Sequence, residues 1–76
     1  MKIRLQGTGW HDAIPVRELK IGYIIEWNFG YTSEVLNLIP TKTGKQINVI
    51  MRSNDTGNIT ERRMGADRLV AIKEVK

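Results

Sequence analysis

Cysteine is absent from the 76 residues, histidine occurs once, at His11, and proline only twice. The first absence excludes disulfides, and a single imidazole among scattered carboxylates offers no ligand spacing for a metal, so neither staple is available to a chain this short. Association with further copies is then the remaining support, and a homo-oligomer stays open. Aromatic residues are also few: two Trp, two Tyr and one Phe. Apolar runs are short throughout. Nothing resembles a signal-peptide core or the roughly 20 apolar residues of a membrane helix, so no membrane partner is expected, and the lack of cysteine fits a cytoplasmic location. Catalytic signatures are missing as well: no serine on a strand-to-helix elbow, no H-E-x-x-H and no phosphate-binding P-loop. No enzymatic activity, catalytic residue, metal or cofactor is expected, and Glu26, Glu34 and Glu61 read as strand-surface charges.

What is present is a single small domain with a modest basic excess. Twelve Lys and Arg against eight Asp and Glu give a net charge of +4, which favours anionic partners without specifying one. A core this thin requires every strand to contribute. "MKIRL" alternates charge and apolarity, and "QGTG" breaks it, making residues 1–13 an arm or an edge strand. Pro15 and Gly22 bracket a turn before a strand at 23–28, where "YIIEWN" is rich in strand formers. "TSEVLNLI" is too densely apolar for a one-faced strand and suits a strand that curls. "PTKTGK" reads as a hairpin loop, "QINVIMRS" sets Ile47, Val49 and Met51 on one face, and "NDTG" at 54–57 is the clearest turn in the chain. "NITERRM", a tight turn at "GAD" and "RLVAIKEV" follow, the last with Leu69, Ala71, Lys73 and Val75 alternating against Val70, Ile72 and Glu74. Short strands separated by turns about every ten residues predict an all-β fold, a five-stranded SH3-like barrel over 14–76. An OB-type barrel is the alternative, although no helix is found between its third and fourth strands.

The segments "ELKIGYIIEWNFGYTSEV" and "ERRMGADRLVAI" resemble a group of short proteins of bacteriophages and prophages, chiefly from Gram-positive bacteria. Shared features are a Leu-Lys-hydrophobic-Gly start, a Trp-Asn-aromatic-Gly-Tyr-Thr-Ser turn and an Arg-Arg then Arg-Leu-Val ending, over residues 16–75. The resemblance implies a small phage accessory protein acting in the host cytoplasm by binding nucleic acid, a host protein or a nucleotide signal of host defence. It brings no catalytic residue with it.

Three groups of residues are candidate binding sites. Trp27, Phe29 and Tyr31 alternate, so on an extended hairpin they share a face on which bases stack, each stack being worth about 1–3 kcal/mol; alternatively Trp27 closes the core and Tyr31 covers it. Asn28 and Thr32 beside them either contact a ligand or satisfy the loop backbone. Arg62, Arg63 and Arg68, with Arg52 on a neighbouring strand, offer planar forks suited to phosphate. Arg62 and Arg63 point to opposite faces unless a bulge intervenes, and ion pairs to Glu61, Glu34 or Asp67 are the competing use of these arginines. Trp10, in "GTGWHD", either joins a phosphate or ring site with the Gly7 and Gly9 amides and His11 beside Asp12, or packs on the barrel from a flexible arm. Three functions follow. Sequestration of a small nucleotide-like anion is placed first, because the interspersed acidic residues argue against a long polyanion; an inhibitor or structural protein that binds a host or phage protein comes next, and a nucleic-acid-binding module third.

Overall fold

The computed structural model describes residues 1–74. Turn residues divide this length into seven strands: β1 (Lys2–Leu5), β2 (Gly9–Pro15), β3 (Ile24–Glu26), β4 (Thr32–Pro40), β5 (Gln46–Ser53), β6 (Ile59–Gly65) and β7 (Leu69–Glu74). Each neighbouring pair is antiparallel, and the order across the single sheet is β1-β2-β7-β3-β4-β5-β6. Among the described residues helix is confined to two 3-10 turns, Val16–Glu18 and Asn28–Gly30, and no helix is long and apolar enough to cross a membrane.

The alternation in "QINVIMRS" behaves as the residue pattern predicts. Ile47, Val49 and Met51 are buried, and β5 sits between two partners whose registers run its full length. Val35 and Ile25 meet them from β4 and β3, both at 0% exposure. The 3-10 turn after β2 fills one end of this concave face: Val16 and Leu19 join the core, and the amides of Val16 and Arg17 donate to the Arg68 and Ala66 carbonyls at 2.9 and 3.0 Å. Dense apolarity in β4 is resolved by a register shift between Val35 and Asn37, which bends the strand. The "NDTG" turn closes β5 onto β6 with Gly57 at φ +77°.

A five-stranded SH3-like barrel is not what these strands build. Seven are present and the sheet does not close, because residues 1–13, expected as an arm or an edge strand, supply β1 and most of β2. The turn at 6–8 reverses the chain into β2, which pairs with β1 on one side and, through Ala13, Ile14 and Pro15, with β7 on the other. That pairing occupies the β7 edge and leaves β1 and β6 as the two ends of an open sheet. The sheet is nonetheless strongly curled: the Arg62 guanidinium of β6 lies over the ring of Trp27, just after β3, although β4 and β5 separate these strands in the sheet. Val75, the last apolar residue of the expected final strand, lies outside the described residues.

Gly7 makes the turn into β2 possible. Its φ is +83°, and a Cβ there would meet the Phe29 ring at 2.9 Å and the Phe29 Cα at 3.3 Å. Gly44 has φ +73° with nothing within 4 Å of a Cβ, so it isolates the backbone contribution. Gly44→Ala is expected to cost about 1–2 kcal/mol from the left-handed conformation alone, and Gly7→Ala more than that, since Phe29 must also move. Urea denaturation of the two variants checks the ordering; equal losses would mean that the Phe29 contact imposes nothing.

Candidate functional site

Trp27 follows β3 in extended conformation, and the chain then makes a tight loop: the Trp27 amide donates to the Tyr31 carbonyl at 2.7 Å and the Gly30 amide to the Trp27 carbonyl at 3.3 Å. This loop places Phe29 at φ +66°, the one non-glycine residue with positive φ among those described. For an aromatic side chain this conformation carries strain of about 1–3 kcal/mol. The Phe29 amide donates to the Gln6 carbonyl at 2.7 Å and the Gln6 amide to the Asn28 Oδ1 at 2.9 Å, so the β1–β2 turn fastens the loop.

That geometry corrects the expected arrangement of the aromatics. Trp27, Phe29 and Tyr31 do not share the face of an extended strand, because the 3-10 turn at Asn28–Gly30 interrupts the alternation. Trp27 is half-buried against the core and its indole N–H donates to the Ser33 Oγ at 3.0 Å. Phe29 and Tyr31 remain exposed, at 66% and 57%. Asn28 serves the backbone through the Gln6 amide, and Thr32 ties the loop to the β5–β6 turn: its Oγ1 accepts from Asn54 Nδ2 at 3.1 Å and its amide donates to Asp55 at 3.3 Å. Trp10 is 67% exposed on β2, opposite Arg4, and is not packed on the sheet.

The arginines separate by face. Arg62 projects over the indole, its Cζ 5.3 Å from the ring centroid, a contact worth about 0.5–1 kcal/mol at an exposed position. Arg63, opposite Asn48 in the β5–β6 register, donates from Nε to Asn48 Oδ1 at 3.2 Å and belongs to the other face. Arg68 comes round to Trp27 from the β6–β7 turn, lining with Trp27, Asn28, Glu26, Ile3 and Leu5 a cleft of about 100 Å³. Arg52 bonds Glu34 at 2.8 Å and Arg17 pairs with Asp67. Among the described residues neither Arg62 nor Arg68 has a carboxylate within ion-pair distance. Arg62 thus covers the indole, and Arg68 lines the cleft beside Trp27, neither with an acidic partner.

Glu26 and His11 belong to this neighbourhood, whereas the residue pattern placed Glu26 on a strand surface and His11 beside Asp12. Glu26 is buried, not a strand-surface charge, because β3 has strands on both sides and the β1–β2 hairpin brings Ile3 and Leu5 to the same cleft. His11 Nε2 lies 3.5 Å from Glu26 Oε2 and 2.9 Å from Thr8 Oγ1. Since one ring nitrogen faces both partners, the trio lacks the two-sided relay of a nucleophile, base and orienting acid. Among the described residues no three His, Cys, Asp or Glu side chains are grouped so as to hold a metal ion. A broader hollow of about 580 Å³ at the β1–β2 turn is lined by Arg4, Leu5, Gln6, Gly7 and Gly9. It offers a single cation and no aromatic side chain. No protein-family model matches the chain, and neither the curated proteins nor the solved structures contain a significant match.

Proposed function

We propose that the protein is a non-catalytic binding protein for a small phosphate-bearing, nucleotide-like anion. The observation that carries this reading is that Trp27 has the Arg62 guanidinium over its ring and shares a cleft with Arg68, neither arginine having a carboxylate within ion-pair distance among the described residues. Guanidinium groups bind phosphate oxygens in a planar fork. The cleft, at about 100 Å³, is well below the roughly 300–1,000 Å³ of pockets that enclose drug-sized ligands, so it suits a phosphoryl group whose attached ring extends over the exposed loop at Phe29 and Tyr31. Glu26 lines the same cleft and opposes the phosphoryl charge, so the arginine contacts have to outweigh one carboxylate. Sequestration of a host-defence nucleotide by a phage accessory protein is the biological role consistent with this chemistry and with the resemblance of the Trp27 loop.

The test is isothermal titration with inorganic phosphate and adenosine monophosphate. Arg62→Ala/Arg68→Ala is expected to weaken binding by about 10-fold or more, since a hydrogen bond to a charged group contributes about 1.5–3 kcal/mol. Arg63→Ala removes the same kind of charge from the opposite face and is expected to leave affinity within about twofold, as a screened surface charge does. Equal losses in both variants, or no binding by the wild type, would sink the proposal. A host-protein partner is favoured instead by the exposure of Phe29 and Tyr31; it predicts that Phe29→Ala or Tyr31→Ala abolishes capture of that partner while Arg62→Ala/Arg68→Ala does not.

A further inference from the structure

The sheet ends at β6, where every residue from Ile59 to Arg63 is exposed. Alternate residues of an antiparallel strand aim both backbone groups at the same neighbour. The Ser53 amide donates to the Asn58 carbonyl and the Ala66 amide to the Lys45 carbonyl, both at 2.9 Å, and the register between these points has no shift. Even-numbered residues of β6 therefore face β5, while Ile59, Glu61, Arg63 and Gly65 turn their N–H and C=O groups to the free edge. Such an edge is a template for another strand, and proteins usually blunt it with repelling charge. Here the outward residues carry charges of opposite sign, two positions apart.

Two copies of one strand that pair antiparallel about a two-fold axis are centred on a residue, because directly opposed side chains share a face. Centring on Glu61 sets two carboxylates against each other, and centring on Arg63 opposes two guanidinium groups. Centring on Arg62 sets Glu61 of one copy against Arg63 of the other, and symmetry repeats the pair. The same register matches Ile59 with Gly65, so the outward-facing backbone groups all find partners. On the opposite face this register sets Arg62 against Arg62, one like-charge pair against two attractive Glu61–Arg63 pairs, and each Arg62 guanidinium is held over the Trp27 ring of its own copy.

We propose that the protein forms a symmetric dimer by pairing β6 with β6 of a second copy, in the register centred on Arg62, and so continues one sheet through both molecules. A contact of one edge strand is smaller than the roughly 1,200 Å² of a stable interface, which places the association in the micromolar range. Sedimentation velocity across about 10–1,000 μM spans that regime. The wild type is expected to dimerise. Glu61→Arg and Arg63→Glu each convert both reciprocal attractions into repulsions and are expected to weaken association by about tenfold or more. The double exchange E61R/R63E restores opposite signs and is expected to return association to within about threefold of the wild type. Both side chains are exposed, and circular dichroism of each variant separates lost pairing from lost folding. A wild type that is monomeric throughout, single reversals that associate like the wild type, or a double exchange as weak as the singles would each overturn the proposal.

Discussion

Ile25→Ala is expected to lower the unfolding free energy by about 2–5 kcal/mol, the range for removing a buried branched side chain. Ile25 is fully buried on β3, opposite Ser33 of β4 and Ile72 of β7. Collapse around the vacated volume is restricted because β3 is held on both sides, and the residues facing the gap, such as Val35 and Val49, are themselves at 0% exposure. Domains carry roughly 0.05–0.15 kcal/mol of stability per residue, so this one substitution removes a large part of the total in so small a chain. Urea denaturation should show a lower midpoint with an unchanged slope. Ile59→Ala is the matched control: Ile59 is 64% exposed, and its loss should stay within about 0.5 kcal/mol. Similar losses at both positions would mean that the core does not lie on this face of the sheet.

The second half of the chain was legible because its signals agree. In β5 the apolar residues alternate cleanly, and Asn54, Asp55 and Gly57 supply a turn that the structure uses as such. Strand β2 shows no such agreement. Its buried residues are Ala13 and Pro15, small or lacking a donor, and its largest side chain, Trp10, faces solvent; strand propensity and apolar period therefore both point away from a strand. Missing β2 turned an open seven-stranded sheet into a closed five-stranded barrel, since the free edge of β7 then had no occupant. For the candidate site, residue types were readable and geometry was not. Arg62 does reach the Trp27 ring from a distant strand, but the left-handed conformation of Phe29 depends on the Gln6 carbonyl and on the absence of a side chain at Gly7. Neither of those is local to "WNFGY". Glu26 was read as a surface charge for a related reason: a glutamate between Ile25 and Trp27 looks like the exposed member of an alternating strand until the β1–β2 hairpin covers it.

Trp27 serves both the core and the proposed site, and two substitutions separate these roles. Trp27→Ala is expected to cost about 3 kcal/mol or more, from lost packing and from the buried Ser33 hydroxyl left without its indole donor. Binding measurements on that variant read stability as much as recognition. Trp27→Phe keeps an apolar ring against the core and forfeits only the hydrogen bond and part of the packing, about 1–2 kcal/mol, so it should remain folded at room temperature. The face of a phenyl ring attracts a guanidinium less strongly than that of an indole, and Arg62 is then less firmly held over the ring. If Arg62 binds phosphate in a position set by the indole, Trp27→Phe should weaken inorganic phosphate and adenosine monophosphate binding alike, by severalfold, since the base is placed over Phe29 and Tyr31 rather than on Trp27. Equal affinity of wild type and Trp27→Phe for both probes would confine Trp27 to the core and leave the arginines to act without it.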